Sequence, residues 1–81
     1  MTTHQTTIDG YLVDVDTDMD GEGATGCWVS RVVDNRTYSA SLEALMADGD
    51  LWCCAGLQDR VHAVPNGTIN KIEQYAASKG Y

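Results

Sequence analysis

The sequence predicts one α+β domain, a small antiparallel β-sheet of four to five strands with two helices, in the order ββ(β)αββα. Three observations carry that expectation. Tyr11, Val13 and Val15 fall at every second position and alternate with Asp14 and Asp16, which is the two-residue period of half-buried strands, and CWVSRVVD is a second run of strand character. Two later stretches carry apolar residues at helical spacing, Leu42, Leu45 and Met46, then Ile69, Ile72, Tyr75 and Ala76. Between them, Gly, Asp and Asn cluster where a chain must turn. With 81 residues, the protein has length for one core and not two, so the domain is expected to run over 1–81.

In chain order, residues 6–17 (TTIDGYLVDVDT) read as one strand, with Tyr11, Val13 and Val15 on one face and Leu12, Asp14 and Asp16 on the other. Residues 18–26 read as a turn and 27–34 as the partner strand of a long hairpin. A turn at Asp34-Asn35-Arg36 leads to a short third strand at 37–39. Ser39 or Ser41 caps a helix that Gly49 ends. Residues 50–55 and 60–64 form a second hairpin, stopped by Pro65, and residues 68–80 form an amphipathic helix with Lys79 near its carboxyl end. Both helices are expected against one face of the sheet. With no Phe in the chain, Val, Leu, Ile, the four Tyr and the two Trp are expected to fill the core.

Charge is distributed unevenly. The net charge is −7. Residues 1–30 hold Asp9, Asp14, Asp16, Asp18, Asp20 and Glu22 and no Lys or Arg, while residues 31–81 hold six acids against five bases. A one-sided negative field disfavours nucleic acid and anionic membranes and favours cations or a basic protein surface. The first residues lack a basic segment followed by an apolar one, and no apolar run has membrane-spanning length, so a cytoplasmic protein is expected.

Residues 14–26, DVDTDMDGEGATG, come nearest to a motif. Set on an EF-hand frame, Asp16, Asp18, Asp20 and Gly21 fit its first half. The twelfth position, which needs a bidentate carboxylate, is Cys27, and the flanks have strand rather than helix periodicity. Starting at Asp14 puts Met19 where glycine is required. A calcium-binding or calcium-responsive domain using the 16–27 loop is therefore the alternative expectation.

Enzyme chemistry finds less. Cys27, Cys53, Cys54 and His62 have zinc-ligand types without a Cys-x-x-Cys pair; the cysteines read as core residues and His62 as a satisfied strand histidine on the face opposite Val61 and Ala63. Cys54 and His62 could face each other across the second hairpin, but no third group or oxyanion turn accompanies them. His4 falls in a terminus expected to fray. No phosphate-cradling loop is present. No enzyme activity, cofactor or metal is expected.

The acids remain as a recognition surface. Carboxylates at alternate strand positions point one way and repeat about every 7 Å, of the order of the spacing between phosphates on a nucleic-acid strand. In its size, lack of a catalytic motif, acidic one-sided surface and compact α+β pattern, the chain resembles the small acidic anti-CRISPR proteins of phages and mobile elements. The resemblance implies a non-enzymatic inhibitor that mimics DNA, binds a basic nucleic-acid-binding protein such as a CRISPR effector complex, and blocks target DNA recruitment. Charge assigns the partner-binding residues as Asp9, Asp14, Asp16, Asp18, Asp20 and Glu22.

Overall fold

The computed structural model describes residues 2–18, 23–53 and 60–81. They form one six-stranded antiparallel sheet in sequential order with two helices. The strands are β1 (Thr2–Ile8), β2 (Tyr11–Thr17), β3 (Ala24–Val33), β4 (Arg36–Ser41), β5 (Asp50–Cys53) and β6 (Arg60–Ala63). The helices are α1 (Leu42–Asp48), between β4 and β5, and α2 (Asn66–Ser78) after β6.

The α+β class holds, but there are six strands rather than four or five. Residues 6–17 are two strands, because the chain reverses at Asp9-Gly10, whose φ values of 50° and 86° suit a tight hairpin. The inward positions change from even in β1 (His4, Thr6, Ile8) to odd in β2 (Tyr11, Val13, Val15) across the turn, a shift that one strongly apolar residue before it hardly reveals, so the stretch reads as one run. The amino-terminal segment expected to fray is instead β1, paired with β2 along its whole length from Thr2↔Thr17 to Ile8↔Tyr11. Asp34 and Asn35, with φ values of 51° and 63°, make the same kind of turn between β3 and β4.

Alternation sorts the sheet into two faces. Tyr11, Val13 and Val15 on β2, Cys27 and Val29 on β3, Tyr38 on β4, and Leu51 and Cys53 on β5 point inward. They share one core with Leu42 and Leu45 of α1 and with Ile69, Ile72 and Ala76 of α2, so both helices cover the same face. Capping fixes the ends of α1. The Ala44 amide donates to the Ser41 hydroxyl at 3.2 Å, and Gly49 takes the left-handed conformation with φ 76°. Met46, read as part of the apolar stripe, is half exposed. Helix α2 begins two residues earlier than its apolar spacing indicates, at Asn66 behind Pro65, whose carbonyl accepts from the Ile69 amide at 3.0 Å.

The sheet curls around its covered face. Tyr11 on β2 and His62 on β6 stand four strands apart, about 19 Å in a flat sheet. Yet the Tyr11 hydroxyl and His62 Nε2 are hydrogen-bonded at 2.8 Å, and the Tyr38 ring stands 5.7 Å from the same imidazole. The concave side is thus filled by helices and rings, and the outer face is convex.

Candidate protein-docking face

The outer face is built by the residues that alternate with the core. Pairing places Gln5, Asp14, Trp28 and Ser41 in one row across β1 to β4. A second row runs Thr7, Leu12, Ser30, Ser39, Trp52 and Val61 across all six strands. Asp16 stands between Thr3 and Gly26. Neither helix packs on this side.

Both tryptophans lie here, 53% and 41% exposed, contrary to the expectation that they fill the core. The reason is parity. Cys27 and Val29 point inward, so Trp28 between them must point out, and Leu51 and Cys53 do the same to Trp52. Leu12, Val32 and Val61 add further exposed apolar surface. That parity was the sequence signal available for the tryptophans.

Asp14 and Asp16 project from β2 onto this face as their spacing predicts. Each is steadied by a neutral donor on β1: Gln5 Nε2 donates to Asp14 Oδ1 and Thr3 Oγ1 to Asp16 Oδ1, both at 2.8 Å. Among the described residues neither carboxylate has a Lys or Arg within ion-pair distance. Their charge is felt through the sheet. Burial, then the Asp14 and Asp16 carboxylates, push the Cys27 thiol up to about 11. No protein-family model, curated protein or solved structure matches the chain.

The other candidate acids divide. Asp9 is in the β1–β2 turn, where it accepts from Thr68 Oγ1 at 2.8 Å and from Lys71 Nζ at 3.2 Å, holding the turn to α2. Those two partners hold its carboxyl below the usual carboxylate range, the Thr68 hydrogen bond first. Its charge is already matched, which sets it apart from Asp14 and Asp16. Asp18 follows β2, its amide donating to the Gly23 carbonyl at 3.0 Å. Asp20 and Glu22 lie outside the described residues, as does Cys54 of the thiol reading.

For the calcium frame, the segments flanking the loop are strands β2 and β3, and Cys27 at the twelfth position is buried in the core. Among the described residues no group of His, Cys, Asp and Glu side chains is placed to hold a metal ion. His62 is engaged by Tyr11. A cleft of about 360 Å³ between α1 and α2, lined by Leu45, Met46, Ile69, Asn70 and Glu73, opens on the helical side, away from the outer face. Among the described residues no helix is long and apolar enough to cross a membrane.

Proposed function

We propose that this protein is a non-enzymatic binding module whose convex outer face docks on a basic, nucleic-acid-binding protein surface and competes with the nucleic acid for it. The observation that carries the reading is the placement of Asp14 and Asp16 at alternate positions of one strand, half-buried on an uncovered face and free of basic neighbours within ion-pair distance among the described residues. Two such carboxylates are about 7 Å apart, and a cationic groove relieves their repulsion while meeting their charge. A convex face also suits a groove shaped for a nucleic-acid strand.

The specific form of this proposal is an anti-CRISPR inhibitor that blocks target DNA recruitment by an effector complex. Its test is a competition experiment. A purified CRISPR effector complex binds labelled target duplex with and without the protein, at low and high salt. Inhibition that weakens as salt rises, and that Asp14→Asn with Asp16→Asn reduces by roughly tenfold or more, about 1.4 kcal/mol, supports it. Unchanged DNA binding by effector complexes removes the specific form. Unchanged affinity of the double variant for a captured basic partner removes the general one.

A further inference from the structure

The two carboxylates frame an aromatic plate. Asp14 is directly opposite Trp28 and Asp16 directly opposite Gly26, on the adjoining strand. The Trp28 indole extends back along β3 over Gly26, its Nε1 standing 3.4 Å from where a Cβ on that glycine would be. A larger side chain at 26 would lift the ring. The bare strand position thus leaves room for the indole over Gly26, the residue paired with Asp16. Gln5 and Thr3 each occupy one oxygen of a carboxylate, leaving the other without a side-chain donor among the described residues.

We propose that the outer face docks an arginine-bearing segment of a basic protein, with a guanidinium stacked on Trp28 and donating to Asp14 and Asp16. This rests on the reading above of the face as a docking surface for a basic partner, and names what that partner presents. A planar, weakly hydrated guanidinium can use an indole face and a carboxylate together, whereas an ammonium uses mainly the charge. Trp52 lies two strands across and two residues along from Trp28, on the order of 12 Å away, within reach of a second side chain on the same segment. Complementary charge selects this occupant over a second copy of the chain. Two such faces brought together would oppose Asp14 and Asp16 to one another in a molecule of net charge −7.

Nona-arginine and nona-lysine peptides separate charge from stacking. Calorimetric titration of the full chain at 50 mM salt should give affinity for the arginine peptide about three- to fivefold tighter than for the lysine peptide, the range expected of an exposed cation–π contact. Because the only two tryptophans lie on this face, indole fluorescence should change on binding. Trp28→Ala should bring the two peptides to parity with the lysine affinity unchanged, and Gly26→Val, which lifts the indole, should do the same. Asp14→Asn with Asp16→Asn should weaken both peptides.

Equal affinities in the parent protein, or a preference that survives Trp28→Ala, overturn the arginine assignment while leaving the charge-based reading standing. If neither peptide binds, both fall. A doubled mass by light scattering that Trp28→Ala reduces, with no arginine preference, gives the face to a second copy and overturns the proposal.

Discussion

Tyr11 ties β2 to β3 and β6. Its ring is buried, its hydroxyl is hydrogen-bonded to His62, and the Arg31 guanidinium lies 4.8 Å from its ring centroid. Tyr11→Phe keeps the packing and leaves the imidazole without this partner, so the cost should be about 1 kcal/mol, read as a shift in urea midpoint. A midpoint equal to that of the parent would mean that water replaces the hydroxyl fully. Cys27 gives a pH window. An unfolded thiol ionises near its ordinary value of 9.0, while the folded one keeps its proton to about 11. The Cys27 contribution to stability is therefore fully present below pH 9 and falls as pH rises from 9 to 11. Thermal melts across that window should decline less in Cys27→Ala than in the parent, and parallel declines would contradict it. The same alternation that buries Cys27 exposes Trp28, a consequence legible in the sequence once residue 27 is given to the core. Composition pointed the other way, because a chain without Phe has few large apolar side chains besides its tryptophans to fill a core.

At the scale of elements, the joins are set by a few backbone conformations. Gly49 ends α1 with φ 76°, its amide bonds back to the Leu45 carbonyl, and its own carbonyl accepts from the Val64 amide at 2.9 Å. A Cβ there meets nothing within 4 Å, so Gly49→Ala isolates the backbone cost of a left-handed alanine, about 1 kcal/mol by chemical denaturation. A loss several times larger would place a steric contact at this corner. Strands β2 and β3, both hairpin partners, and the two helices were legible from periodicity and turn chemistry. β1 was not, since TTHQTTI has only one strongly apolar residue, and the break in phase between Ile8 and Tyr11 therefore hardly shows in the sequence. The Asp-Gly pair was the local signal for that turn. What no local signal carries is the curl, which comes from the sheet twisting around two helices and brings β2 to β6. The Asp9 bond to Thr68, 59 residues away in the chain, is likewise a product of tertiary packing.

For the whole molecule, the fold divides labour between its two sides. Helices, rings and thiols fill the concave side, and the convex side carries carboxylates and indoles on a stiff six-stranded support. Acidity concentrated in residues 1–30 predicted a charged surface, and the structure puts Asp14 and Asp16 on it while engaging Asp9 elsewhere. The central claim, that Asp14 and Asp16 act together as a docking charge, is tested most directly by the salt dependence of binding. A pull-down from a lysate containing DNA-binding complexes identifies the basic partner. Its affinity is then measured at two salt concentrations for the parent and for Asp14→Asn with Asp16→Asn. The account predicts tight binding at low salt that falls as salt rises, and a double variant that binds roughly tenfold more weakly with a shallower salt dependence and an unchanged melting profile. Equal affinity and equal salt dependence for the two proteins would contradict it.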